Sequence, residues 1–287
     1  MSILLEYRRF TRLEDALRFL SERPDAKVVA GGTDLVVQMR MGKLKPAAVA
    51  DIRGIRELRG IRDSGDYLEI GALTTIEEVR ESSLVKRFAP PLWEAAQEFA
   101  TWQIRNMGTV GGNLCNASPA ADTAPPLIVL DAKVRTANPG GGRTMHLEEF
   151  FKGPGETVLE RGELLTHILI PKPGDSAGYS FQRLGRRTAH ILSIVSAAAA
   201  VGVEDGRISW VRVALGSVAP TPVRARSVEG ELIGKAPRSE TIRSASEKVL
   251  NDIKPISDVR ASAEYRRAMS IVLVRRVLEK AVRRAGA

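Results

Sequence analysis

Residues 109–127 read TVGGNLCNASPAADTAPPL: the glycine pair Gly111 and Gly112 is followed by Asn113, Cys115 and Asn116, and Asp122 stands just ahead of Pro125 and Pro126. A second glycine pair lies upstream in VVAGGTDL, residues 28–35. In both stretches the glycines follow apolar residues and precede a hydroxyl or amide side chain. Glycine has no Cβ, so its backbone can approach a ligand closely, and successive inward-turned N–H groups form a nest for phosphate oxygens. Each pair taken alone reads more simply as a turn; taken together they can grip a diphosphate from both sides. No G-x-G-x-x-G follows the first strand and no G-x-x-x-x-G-K-S/T occurs, so a dinucleotide held here is not held in the Rossmann manner.

The flanking sequence mixes helical and strand periods. Thr11 to Glu14 spells a capping box, and Leu13, Ala16, Leu17 and Leu20 share one helical face, predicting a helix that ends near Pro24. KVVAGG then reads as a short buried strand entering the first glycine turn. DLVVQMRMG reads as a helical turn stopped at Gly42, and AAVADI as a strand. Thr75 to Glu78 forms a second capping box after YLEIGAL, and residues 84–100 look helical. APPLIVLDAKV is helix or strand on periodicity alone. PKPGDSAG, residues 171–178, breaks both periods and reads as a linker. Beyond it, two β-rich runs meet at Asp205-Gly206, a hairpin signal, and residues 227–251 and 260–285 read as helices.

Composition bounds the function. The chain has 287 residues, 44% of them hydrophobic, enough for one large domain or two of ordinary size. Its longest apolar run, residues 191–203, is too short to span a bilayer, so a cytoplasmic chain without a membrane span is expected. A single cysteine, Cys115, excludes an internal disulfide and an all-cysteine iron–sulfur site from this chain alone. His146, His167 and His190 have no companion at metal-ligand spacing, so no metal site is expected. The 43 basic residues against 34 acidic ones suggest an anionic partner. They are scattered, however, and the densest region, residues 264–287, has the pattern of a docked helix with a solvated face; nucleic acid is not the expected partner.

AGGTDLVVQMR (30–40) and RNMGTVGGNLCNASPAADTAPPL (105–127) resemble the two FAD-diphosphate loops in the flavoprotein (medium) subunits of molybdenum hydroxylases, the family of xanthine dehydrogenase and aerobic carbon monoxide dehydrogenase. ISDVRASAEYRRAMSIVLVRRVLEKA (256–281) resembles the C-terminal flavoprotein domain of that family. The resemblance implies an α+β fold. A two-lobed FAD domain of the vanillyl-alcohol-oxidase (PCMH) type would span residues 1–173, with a lobe boundary near 55, and a smaller C-terminal α+β domain residues 174–287.

The resemblance also implies site residues. Ala30, Gly31, Gly32, Thr33 and Asp34 would wrap the FAD diphosphate, with Val28 and Val29 at the strand end. Thr109, Gly111, Gly112 and Asn113 match the second loop, and Asn116 and Asp122 match polar positions on FAD, although both also read as local turn caps. Phe99 and Ala100 match residues lining the cofactor, and Leu165 and Ile191 match apolar positions bordering the flavin ring. A basic position near the flavin, often lysine in the family, falls on Gln182 or Arg183. Arg183 is preferred, because a fixed cation there favours anionic reduced flavin.

The function so implied is that of an FAD-carrying electron-transfer subunit. It would take electrons from the 2Fe–2S clusters of a small partner, fed by a molybdenum cofactor in a large partner, and pass them to an external acceptor. The assembly expected is a dimer of heterotrimers. The rivals are a stand-alone FAD-dependent reductase of the same fold, for which no proton donor or substrate apparatus is found, and a non-catalytic binder of phosphorylated ligands or nucleic acid. Cys115 lacks a resolving partner and reads as a small buried residue.

Overall fold

The short apolar runs assemble into three main sheets in a computed structural model that describes residues 5–172, 174, 177–187 and 192–286. The first is a parallel sheet in which Ala48–Asp51 lies between Glu6–Arg9 and Ala26–Val29. As the central strand, Ala48–Asp51 is buried at every position. The helix Leu13–Glu22 lays Ala16, Leu17 and Leu20 against Ala48 and Ala50, as its apolar spacing predicts. Its expected capping box is not made: the chain enters the helix at Arg12, with no side-chain cap.

Asp51 is fully buried at the end of that central strand. It accepts bonds from the Arg53 backbone N at 2.9 Å, from Arg53 Nε at 2.9 Å and Nη2 at 2.8 Å, and from the Tyr7 hydroxyl. Burial pushes its pKa up, but these bonds outweigh burial and bring it down from 3.8 to about 2. A depressed carboxylate pKa stabilises the fold above the ordinary Asp range, and that contribution is lost as pH falls toward 2. Asp51→Asn is therefore expected to cost on the order of 2 kcal/mol at neutral pH, with the deficit shrinking as urea unfolding is repeated at progressively lower pH.

The second sheet runs Ile61–Ser64, Tyr67–Gly71, Leu164–Pro171, Lys133–Ala137, Thr144–His146. Helices Pro90–Glu98, Val110–Cys115 and Ala124–Val129 share a core with it through Leu92, Leu114, Leu127 and Ile168. The helical stretch predicted over 84–100 is two helices, Ser83–Phe88 and Pro90–Glu98; the prolines sit in the first turn of the second, where their missing N–H costs no intrahelical bond. The ambiguous APPLIVLDAKV is a helix, Ala124–Val129, followed by the strand Lys133–Ala137.

The third sheet is antiparallel, in the order Ala177–Leu184, Val195–Glu204, Arg207–Gly216, Val223–Arg224. Asp205 (φ 50°) and Gly206 (φ 70°) make the predicted hairpin turn. The strand Val195–Glu204 is buried on both faces along its first eight residues. Ala197, Ala199 and Val201 face the long helix Ala263–Arg284, while Ala198 and Ala200 join the core of the second sheet. Small residues let that helix come close: a Cβ on Gly178 would lie 1.9 Å from the Ala281 carbonyl oxygen. The third sheet is thereby packed against the segment 117–130, which carries the second half of the motif.

Candidate functional site

The two glycine pairs meet. After Ala26–Val29 the chain turns through residues 30–34 into the short helix Leu35–Arg40, with Gly32 at φ +72°. A Cβ on Gly31 would lie 2.0 Å from the Met107 carbonyl oxygen and 3.0 Å from Gly108 Cα, so the first turn rests on the backbone leading into the second motif. From the other side, a Cβ on Gly112 would lie 2.8 Å from Thr109 Oγ1 and 3.9 Å from Ala30 Cβ. Val29 is buried, and its Cγ2 backs Gly32; Val28 packs toward the first core.

The pairs do different jobs. Among the described residues, the N–H groups of Gly31, Gly32, Thr33 and Asp34 donate no hydrogen bond within the chain, so the first turn can act as the nest its sequence suggests. The second motif does not have this geometry. Thr109 caps the helix Val110–Cys115, accepting from Gly112 N at 3.0 Å, while Val110 N donates to Thr74 O (3.0 Å), Gly111 N to Ala72 O (2.9 Å) and Asn113 N to Thr109 O (2.9 Å). Its glycines serve close packing: a Cβ on Gly111 would sit 2.6 Å from both Ala72 Cβ and Ala72 O. What the second motif can offer a ligand is side chains, among them half-buried Asn113 and Asn116. Asn113 Oδ1 accepts from Thr123 Oγ1 at 2.6 Å, which leaves its NH2 to donate outward.

Ala72–Thr75 is the platform on which this second motif is seated, through the bonds above and a Thr75–Thr109 bridge. The sequence read that segment only as a strand end and a capping box. The box itself is made, with Thr75 and Glu78 bonded reciprocally. Its neighbour Glu77 has a role that periodicity does not announce. Buried Glu77 takes Arg80 and Arg105, and these guanidinium bonds outweigh its burial and hold its carboxyl below the usual range. Arg105 Nη1 in turn donates to Phe99 O at 3.0 Å and Ala100 O at 3.3 Å, fixing the bend at which Ala100 adopts φ 37°.

At the other end, Asp122 is 5% exposed and bonded to the third sheet: Oδ1 accepts from Ser193 Oγ at 2.6 Å and Oδ2 from Arg183 Nη1 at 3.0 Å. Burial raises the pKa of its carboxyl despite both partners. The Arg183 side chain, 6% exposed, also donates to the Glu98 carbonyl and pairs with Glu98 Oε2 at 3.3 Å. Neighbouring residues of a strand point to opposite faces, and it is Arg183, not Gln182, that reaches Asp122. Ser193 carries no signal in the sequence, where it is a lone serine within an apolar run. Leu165 is 4% exposed in the core beneath Val110 and Leu114, one residue before Thr166, whose carbonyl accepts from Ala72 N at 2.8 Å. Ile191 and His190 lie outside the described residues.

Cys115 packs against the core at the end of the second motif, and burial pushes its thiol up to about 12. A thiol so raised carries almost no thiolate at pH 8. Ellman titration of the native chain at that pH is expected to find it unreactive, and reactive after denaturation.

Residues 4–173 match the family described as FAD binding domain in molybdopterin dehydrogenase, and residues 179–281 the CO dehydrogenase flavoprotein C-terminal domain. The xanthine dehydrogenase FAD-binding subunit of Escherichia coli O157:H7 is 36% identical over 282 residues, covering 98% of this chain and 97% of that protein. The carbon monoxide dehydrogenase medium chain of Hydrogenophaga pseudoflava is 34% identical over 90% of this chain and 89% of its own length. Among solved structures, carbon monoxide dehydrogenase from Hydrogenophaga pseudoflava superposes with a TM-score of 0.95 at 33% identity, covering 98% of each chain. Quinoline 2-oxidoreductase from Pseudomonas putida 86 does so with a TM-score of 0.93 at 29% identity. No described helix is long and apolar enough to cross a membrane.

Proposed function

Since this chain belongs to the family of FAD-binding subunits of molybdenum-containing dehydrogenases, we propose that it carries electrons from the iron–sulfur clusters of a small partner, by way of FAD, to an external acceptor. The observation that carries this reading is the contact of the two glycine turns, with the first presenting a run of N–H groups and neither Gly31 nor Gly111 having room for a Cβ. Such a cradle fits a diphosphate, whose oxygens need N–H donors at close backbone approach.

In this reading Gly31 to Asp34 hold the diphosphate through the backbone, and Thr109, Asn113 and Asn116 add side-chain bonds. Phe99 and Ala100, fixed by Arg105, line the path of the cofactor, and Leu165 and Arg183 border the ring. When bound, FAD supplies the redox chemistry; the chain positions it and sets the charge around it. The FAD domain extends to residue 173, with a lobe boundary near 55, and the C-terminal domain begins at 174.

Electron entry requires a docked partner. Val36 and Val37 on the helix after the first turn, Met41 just past its end, and Trp102 and Met107 on the helix ahead of the second motif are exposed large apolar side chains. Exposed apolar side chains clustered in this way suit a subunit contact. Co-expressed with its neighbouring reading frames, the chain is expected to co-purify with molybdenum- and iron-containing subunits. The pair Val37→Glu and Trp102→Glu is expected to reduce that recovery severalfold while FAD stays bound. Recovery of the wild-type chain free of any metal-containing partner would contradict the reading.

A further inference from the structure

Glu77 ties two helices together from one buried position. Its Oε1 accepts from Arg80 Nε at 2.8 Å and its Oε2 from Arg105 Nε at 2.5 Å. The Arg80 carbonyl in turn accepts from Trp93 Nε1 at 2.9 Å and Gln97 Nε2 at 3.3 Å, both on the helix Pro90–Glu98. Arg105 belongs to the next helix, Trp102–Met107, and its Nη1 reaches back to the Phe99 and Ala100 carbonyls. Between the two helices the chain turns at Ala100, whose φ of 37° lies in the left-handed region that a Cβ disfavours. A free alanine prefers to leave that region by on the order of tenfold, so contacts from elsewhere must hold it there.

We propose that Glu77 is a positioning residue of the cofactor site: by fixing the Arg105 guanidinium it keeps the Phe99–Ala100 bend in the shape that lines the cofactor. This rests on the reading that Phe99 and Ala100 line FAD. The guanidinium is a rigid planar fork, so the carboxylate that takes its Nε also sets the direction of its Nη1. Both Glu77 oxygens are committed to arginines, and Glu77 therefore acts through Arg105. A guanidinium deprived of a buried carboxylate partner is drawn toward water, and the bend it clamps relaxes with it. Glycine at position 100 removes the need for the clamp, because without a Cβ it adopts positive φ as readily as negative.

The test compares the FAD dissociation constant and the bound-flavin absorption spectrum of the wild-type chain, Glu77→Gln, Ala100→Gly and the double variant. Glu77→Gln is expected to weaken FAD binding about tenfold and to shift the visible band. Ala100→Gly alone is expected to stay within about twofold of wild type, and the double variant to recover most of the lost affinity. A Glu77→Gln chain with wild-type affinity and spectrum would overturn the proposal. So would a loss that Ala100→Gly does not repair, because a general weakening of the fold is not mended at residue 100. Should Glu77→Gln fail to fold, Arg105→Lys takes its place in the same comparison, with the same outcomes deciding; lysine keeps a cation beside Glu77 but lacks the fork that also reaches the two carbonyls. Failure of both variants to fold would make the pair a requirement of the fold and overturn the proposal as well. A wild-type chain that binds no FAD would instead remove the reading on which the proposal rests, and the proposal with it.

Discussion

A Gly31→Ala chain is expected to lose FAD. The new methyl would stand 2.0 Å from the Met107 carbonyl oxygen, a backbone atom held by its place just ahead of Gly108, so the first turn must lift off the second motif. Overpacking a well-filled site costs about 1–3 kcal/mol, and against backbone the upper part of that range applies. Spent on the cradle, that corresponds to FAD affinity weakened on the order of a hundredfold. Gly111→Ala, aimed at Ala72, is expected to behave alike. Gly42 provides the control: at φ +69° with nothing within 4 Å, its replacement by alanine strains the backbone by roughly 1–2 kcal/mol but leaves the cradle intact. Flavin stoichiometry and thermal melting on the three variants separate the effects. A folded Gly31→Ala chain with full FAD would mean that the two turns need not abut.

The second large effect is an absence of turnover. Hydroxylation at a metal centre needs a site that activates water and accepts two electrons, and a chain with one cysteine and three dispersed histidines does not assemble one. The FAD-loaded chain alone is expected to reduce artificial dyes at most, given a suitable donor, with no turnover of purines, aldehydes or carbon monoxide. Steady-state assays with and without the partner chains check this. Hydroxylation by the lone chain, molybdenum-free by metal analysis, would overturn the account.

Much of this architecture is written locally. The helix Leu13–Glu22, the hairpin at Asp205-Gly206 and the long C-terminal helix Ala263–Arg284 each follow from periodicity and turn chemistry within a few residues. The glycine pairs were visible for the same reason, but their division of labour was not. Whether an N–H is free or already spent depends on Ala72 and Thr74, far away in the chain, and no local pattern encodes that partner. Glu77 and Ser193 escaped notice because their importance comes from what the fold brings to them, Arg105 in one case and Asp122 in the other. Asp122 itself stood out as polar, yet its commitment to Arg183 is a tertiary fact. That Arg183 and not Gln182 reaches Asp122 depends on the direction of a strand's pleat, which only register supplies.

The central claim is that the paired turns bind a diphosphate-bridged flavin. Its most direct test is to release and identify the cofactor of the purified chain and to titrate the stripped protein with FAD and with FMN, which lacks the diphosphate bridge. The account predicts FAD at one per chain, and rebinding of FAD with FMN bound far more weakly. A chain that carries no flavin, or that takes FMN as tightly as FAD, would contradict it.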